Sequence, residues 1–286
     1  MTRNRFLLMA ILWMVFASQM ICAARAAQPM IRLDAVPEYR PEHRPFAAGE
    51  KAVYRASWNG LFAVATAVVH TTPAVVDGKH VFQVRVDART SRILDWIWKM
   101  RDTITSTFDA KALVPSHFNL SQRENSRVID TDARYDGRTQ RWSVNRQQLG
   151  KRTKIYQFDS ANTLDPITAV YMARSTDFKV GDRLYFKLFG GRYRYLLELF
   201  VEKRESVEMS SGKVVEAYRI IPRIQNTTKE GYAGRLHDAV IWISADQRRV
   251  PIKLSSKIVF GSVYLDLIED HRGAQSMALD SARPAL

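Results

Sequence analysis

The stretch from Ala239 to Ile268 constrains the fold more than any other part of the chain. Its middle run places Ile252, Leu254, Ile258 and Phe260 on one parity and Lys253, Ser255 and Lys257 on the other. Successive side chains of an extended strand face opposite sides of a sheet, so this period of two specifies a half-buried antiparallel strand. A polar Ser244-Ala245-Asp246-Gln247 turn and Gly261 separate that run from apolar runs on either side. The segment is therefore a three-stranded meander with one wet face. The rest of the chain has to extend the same sheet.

The same alternation recurs upstream. Lys51 to Ser57 reads as a strand, Trp58-Asn59-Gly60 carries the Asn-Gly hairpin signal, and Leu61 to Thr71 returns. On that return Leu61, Ala63, Ala65, Ala67 and Val69 line one face, and Phe62, Val64 and Val68 line the other. Both faces are apolar, which predicts cover on both sides, and the three alanines leave room for a close-packed helix or for a ligand. Asp77-Gly78 turns into Val81 to Ala88. Ser91 to Met100 then crowds Ile93, Leu94, Trp96, Ile97 and Trp98 together, as in a short amphipathic helix or a hydrophobic lip.

Ser116 to Phe158 is the most polar part and is expected to form a long exposed hairpin region. Arg138, Arg141, Arg146, Lys151, Arg152 and Lys154 concentrate positive charge there. Leu164 to Arg174 is helical, with Asp165-Pro166 as capping residue and first-turn proline. Strands return at Leu184 to Phe189, Tyr193 to Glu202 and Val214 to Ile221. The fold expected is mainly β: a large antiparallel, strongly curved sheet (half-barrel, spiral or open barrel) wrapped on one or two short helices.

The N-terminus reads as a leader. Arg3 and Arg5 precede an apolar run from Phe6 to Phe16, and Ala24-Arg25-Ala26 is the small-x-small pattern of a cleavage site, which predicts a signal peptide over 1–26. The run is shorter than the roughly 20 apolar residues of a spanning helix. Bulky Ile21 before Cys22 does not suit a lipobox. Cys22 is the only cysteine, so the processed chain would contain none, which excludes disulfides, thiolate metal sites and cysteine nucleophiles. Loss of Arg3, Arg5 and Arg25 lowers the formal charge by three from +14, leaving a basic protein. Residues 27–49 carry four prolines and read as an extended, mobile lead-in, with Ile31 and Leu33 available to an edge of the sheet. Residues 50–270 form a single β domain, and 271–286 a disordered tail.

Catalytic signatures are missing from the sequence. The histidines after the leader show no helical ligand spacing, and neither a nucleophile elbow nor a glycine-rich phosphate loop occurs. Asp130 and Asp132 share the solvent face of one polar strand. No metal, cofactor or catalytic residue is predicted.

A set of short motifs is more specific: Tyr54 with Trp58-x-Gly60, Asp102 with Ser106-x-Phe108-Asp109, Asp165-Pro166-Ile167 with Tyr171, Val180-Gly181-Asp182, and Trp242-x-Ser244-x-Asp246-x-Arg248-Arg249-x-Pro251. In that order and spacing the chain resembles the DUF3108 family of exported bacterial proteins, over roughly Glu50 to Ile268. The family's biochemical role is not established, so the resemblance carries no site residues. In architecture alone, the expected sheet is also similar to the half-barrels of LolA/LolB-type periplasmic lipoprotein carriers.

The function expected is that of a non-catalytic periplasmic envelope protein binding a lipid or another amphipathic ligand in a curved-sheet cavity. Trp58, Phe62, Ala63, Ala65, Ala67, Trp96 and Trp98 are the candidate ligand-binding residues, because aromatic rings at a cavity mouth suit an apolar body with a charged head. Arg138, Arg141, Lys151 and Arg152 are the candidate contacts to an anionic surface such as lipopolysaccharide. The alternative is a structural or interaction module for envelope assembly, and a weaker one is a hydrolase of envelope polymers. A monomer is expected, with neither a nucleic-acid partner nor a membrane span after cleavage.

Overall fold

The computed structural model describes residues 31–159, 161–228, 238–257 and 261–273. The leader, and the tail beyond residue 273, lie outside the described residues, as do Ile258 and Phe260 of the meander. Among the described residues, fifteen strands form one sheet. The first eight are β1 (Lys51–Trp58), β2 (Phe62–Val76), β3 (Lys79–Thr90), β4 (Arg101–Asp109), β5 (Pro115–Glu124), β6 (Arg127–Asp136), β7 (Arg141–Gln148) and β8 (Lys154–Asp159). The others are β9 (Thr163–Leu164), β10 (Arg183–Phe189), β11 (Arg194–Glu208), β12 (Val214–Asn226), β13 (Val240–Ser244), β14 (Pro251–Lys257) and β15 (Ser262–His271).

Their order is β8-β7-β6-β5-β4-β3-β2-β1-β15-β14-β13-β12-β11-β10-β9. Every neighbouring pair is antiparallel except β9–β10. The chain thus meanders outward from β1, and its second half is laid down on the other side of β1 through β15. The expected curved β architecture is found, and among the described residues the strands do not pair around into a closed barrel.

The open seam lies between β8 and the β10–β11 hairpin, and side chains bridge it. Tyr156 Oη donates to the carbonyl of Gly191 (3.0 Å), and Arg194 stacks 5.1 Å above the Phe158 ring. Phe189 of β10 packs against Phe118, Trp142 and Phe158 of the other edge. Gly191, at φ 78°, is the close approach: a Cβ there would already touch Leu120 and Thr131 at 3.7 Å.

This packing corrects the expectation of an exposed hairpin region over 116–158. Those strands have a buried inner face that includes Phe118, Gln122, Ile129, Thr131, Ala133 and Trp142. Their inward positions look polar in sequence because part of the interior is polar, and the hairpin tip at Gly191 supplies the cover.

Two helices occur among the described residues: α1 (Arg92–Asp95) in the β3–β4 connection, and α2 (Pro166–Ser175) inside the curve. Helix α2 begins where predicted. The Asp165 carboxylate accepts from the backbone N–H groups of Ile167 (2.9 Å) and Thr168 (3.1 Å), and from the hydroxyls of Ser106 (2.8 Å) and Thr168 (2.6 Å). Its burial raises the carboxyl's pKa, which these four donors oppose. Asp165→Ala would strip the Ile167 and Thr168 N–H groups of their cap and leave the Ser106 and Thr168 hydroxyls to pair with each other at 3.1 Å. A loss of about 2 kcal/mol or more is expected, read as a lower urea midpoint at unchanged slope.

The residues that carried the family resemblance turn out to wire the helix to the sheet. Asp246 Oδ1 accepts from Ser244 Oγ (2.7 Å) and Arg248 N–H (3.1 Å), which fixes the β13–β14 turn. From that turn Arg249 reaches Thr176 O and Asp177, and covers the Phe178 ring at 4.2 Å. Tyr54 donates to Pro251 O (2.9 Å). Asp109 accepts from Lys111 and Ala112 N–H (2.8 and 2.7 Å), which turns β4 toward β5. The 239–268 meander is thus a structural anchor.

The lead-in differs from its expectation. It is extended, but it is strapped down: Glu42 N–H donates to Ser175 O (2.8 Å), Tyr39 Oη accepts from Tyr185 N–H (3.0 Å), and Phe46 is buried in the core. Leu33 sits exposed in a 3-10 turn instead of joining a sheet edge.

Candidate functional site

Antiparallel connections alternate between the two ends of a sheet, so this molecule has two rims of distinct chemistry. At one rim the strap of residues 36–41 crosses the mouth of the curve and leaves a cleft of about 480 Å³. It is built by the strap itself, the β4–β5 turn at residues 111–115, Tyr135 of β6, residues 162–164 at β9, and residues 185–187 of β10 with Met172 of α2. Leu113, Met172 and Phe186 form a buried floor, and Tyr39, Tyr135 and Tyr185 are among the residues that line the rest. Tyr39 lies 4.8 Å from Phe186, centroid to centroid, and burial raises its hydroxyl pKa, so it is neutral. Arg40, Lys111 and Lys187 stand at the edges with a single carboxylate, Glu38. A volume of this size falls within the range that accommodates a small ligand. An apolar floor under a cationic edge fits an anionic amphipath.

The local sequence explains the shape. Pro37, Pro41 and Pro45 keep the strap extended and without helix. Leu113 adopts φ 53° in the β4–β5 turn and is almost wholly buried, so that turn presents a Leu side chain inward where most turns are polar. Neither signal is periodic, which is why pattern reading missed the cleft. The prolines of the lead-in were the only available trace.

The other rim carries the predicted lip. Trp58 pairs with Phe62 at 6.1 Å, Trp98 is half-buried against the core with Leu94, and Trp96 is 93% exposed. The structure therefore brings Trp58, Phe62, Trp96 and Trp98 to one end of the sheet. It separates the alanines from them. Ala65 and Ala67 face inward and are buried beside Ala56, Ala88 and Met100, around a void of about 10 Å³, while Ala63 is exposed. A void that size takes no ligand. The cover predicted over both faces of β2 is also incomplete, since Val64 and Val68 are only half-buried outward.

The four candidate cations divide in the same way. Arg138 and Arg141 flank the β6–β7 turn at the cleft rim, where Arg141 is paired with Asp159 (2.6 Å). Lys151 and Arg152 lie exposed in the β7–β8 turn at the lip rim.

Two of the buried carboxylates lie at the lip-rim ends of β4 and β5. Asp102 and Glu124 face inward on β4 and β5, where Asp102 accepts from Arg123 N–H (2.8 Å) and Glu124 pairs with Arg127 (3.4 Å). Burial, opposed by the Arg123 N–H and reinforced by the charge of Glu124, pushes Asp102 up to about 7. Glu124 is raised as well, by burial. Neither lines the cleft, and at 3% and 4% exposure neither is open to a polymer substrate. Asp130 and Asp132 are engaged at the surface, with Arg123 (2.8 Å) and with His117 (2.5 Å).

Comparison with known proteins bears on the fold. A family model described as "Protein of unknown function (DUF3108)" matches residues 53–268. Among solved structures, a β-barrel-like protein of the domain of unknown function DUF1849 from Brucella abortus is similar at a TM-score of 0.50 and 10% identity, over 79% of this chain and 98% of its own. A protein described as exported, with a YmcC-like fold, from Bacteroides fragilis matches at a TM-score of 0.36 and 8% identity, over 82% of this chain and 100% of its own. A protein described as a lipoprotein from Parabacteroides distasonis matches at 0.38 and 9%, over 79% and 98%. The first likeness shows the shared fold alone. No curated protein matches the chain.

Proposed function

We propose, on the premise that this chain belongs to the DUF3108 family, that it is a non-catalytic binding protein for an anionic amphipathic ligand. It works in the bacterial envelope, a location supported by the Arg3/Arg5 leader with its Phe6–Phe16 run and its Ala24-Arg25-Ala26 cleavage pattern. The observation that carries the reading is the cleft of about 480 Å³ at the strap, with a floor of Leu113, Met172 and Phe186 and a rim of Arg40, Lys111 and Lys187. The ligand's apolar part occupies the floor, and its anionic head meets the cations. This site differs from the tryptophan lip that the sequence favoured.

An interaction module built by strand addition has less support, because side chains from the β10–β11 hairpin already bridge to β8 across the seam. A hydrolase has less support, because the cleft is lined by a single carboxylate, Glu38, and the raised Asp102 and Glu124 are enclosed.

Titration of the purified protein with a fluorescent fatty acid tests the reading. Saturable binding is expected, displaced by an unlabelled fatty acid. Val114→Trp, which fills the cleft from an exposed position, is expected to weaken it by about tenfold or more, roughly the loss of 1.4 kcal/mol. Binding that survives the substitution unchanged, or no binding by the wild type, would sink the proposal.

A further inference from the structure

The lip rim carries chemistry that the cleft does not use. Leu61, Ile93, Trp96 and Ile97 are 80%, 86%, 93% and 80% exposed in the β1–β2 turn and the α1 connection, and Leu149 and Ile155 are 70% and 75% exposed around the β7–β8 turn. Single exposed apolar residues need no explanation; six on adjoining loops do. The loops adjoin through the backbone. Ser91 N–H donates to Val64 O (2.9 Å), which ties α1 to β2 beside the β1–β2 turn. Asn125 N–H donates to Lys99 O and Lys99 N–H to Asn125 Oδ1 (both 2.8 Å), which ties it to the β5–β6 turn. Leu149 N–H donates to Val128 O (2.9 Å), so the β7–β8 turn comes next along the rim.

The same loops carry exposed Arg92, Lys99, Lys151, Arg152 and Lys154. Their carboxylates are spent: Asp95 is held by Arg101 (2.6 Å) and Glu124 is buried. The rim therefore alternates projecting apolar tips with uncompensated positive charge. A protein partner would favour one continuous apolar face. Separate apolar tips between cations match instead the boundary of an anionic bilayer, where acyl chains take the tips and headgroups take the cations. We infer that this rim is a docking surface for anionic lipid membranes, formed by the β1–β2, β3–β4 and β7–β8 connections. The site is independent of the cleft, which opens at the opposite rim. In docking it holds the cleft away from the bilayer.

The test uses the chain begun at Ala27, which keeps every described residue and removes the apolar leader. It is mixed with vesicles of equimolar phosphatidylglycerol and phosphatidylcholine, or of phosphatidylcholine alone. The protein is expected to sediment with the anionic vesicles, and its tryptophan emission to shift to the blue. Trp96→Ser with Ile97→Ser should weaken partition by at least about tenfold. Lys151→Glu with Arg152→Glu should abolish the preference for phosphatidylglycerol. Ile93→Ser with Leu149→Ser serves as a second apolar variant if circular dichroism shows that the first misfolds. Val114→Trp should leave vesicle binding unchanged, which separates this site from the cleft. The inference is overturned if the wild type ignores both vesicles, or if binding is electrostatic only and survives both apolar variants. It is also overturned if the rim instead pairs two copies into a dimer that Trp96→Ser/Ile97→Ser dissolves.

Discussion

Arg174→Met is expected to cost about 3–5 kcal/mol, a drop of roughly 10 °C in the unfolding midpoint. Arg174 lies in α2 at the centre of the curve and is 3% exposed, and its guanidinium pairs with Glu50 (2.7 Å), which is itself buried. It also donates to the carbonyls of Pro45 (3.4 Å) and Arg248 (3.2 Å), and it stacks 5.2 Å above Tyr171. One side chain thus ties the strap, the helix and the β13–β14 turn together. Removing it leaves the Glu50 carboxylate buried beside Arg248 at 3.7 Å, which is itself paired with Asp270. The penalty comes from the stranded charge more than from the lost pair. Arg174→Met combined with Glu50→Gln should therefore recover a substantial part of the loss in urea unfolding. A single-variant cost below about 1 kcal/mol would show that α2 is not held this way.

Asp102→Asn is expected to stabilise the protein at pH 8 and to do almost nothing at pH 4. Burial holds the Asp102 carboxyl near pH 7 in the folded state, above its ordinary value of 3.8. Between those values the folded chain keeps a proton that the unfolded chain releases. Wild-type stability contributed by this group is thus fully present below about pH 4, falls as pH rises, and is lost above about 7. Asparagine carries no such penalty, and its Oδ1 can still accept from Arg123 N–H. The gain over wild type should grow across that window to about 2–4 kcal/mol. Chemical denaturation at several pH values reads it directly. A pH-independent difference would mean that Asp102 ionises freely in the folded protein.

Much of the architecture was legible because alternation is a backbone property that every half-buried strand must obey. The Asn59-Gly60 and Asp77-Gly78 turns, the Asp165-Pro166 helix start and the 239–268 meander all appear where pattern and turn chemistry place them. The polar strands misled for a physical reason. Gln122 and Thr131 are completely buried, yet nothing local marks them, and the cover over Thr131 is the Gly191 hairpin tip far downstream in the chain. The site was less legible than the fold. Tryptophans at 58, 96 and 98 stood out by bulk, and the structure does gather them at one rim. The cleft is made by a strap and a turn, Tyr39 and Leu113 among its residues, whose positions follow from long-range docking and leave no periodicity. The alanines of β2 were ambiguous between helix room and ligand room, and the interior filled that space with Ala56, Ala88 and Met100.

The two rims would then divide the labour: one end meets the membrane, and the other holds the ligand. Native mass spectrometry of the protein released gently from the envelope tests the ligand claim most directly. The predicted result is a discrete population carrying one amphipathic adduct, strongly diminished in Val114→Trp and retained in Trp96→Ser/Ile97→Ser. A spectrum showing only the bare chain, or an adduct that Val114→Trp leaves in full, would contradict it.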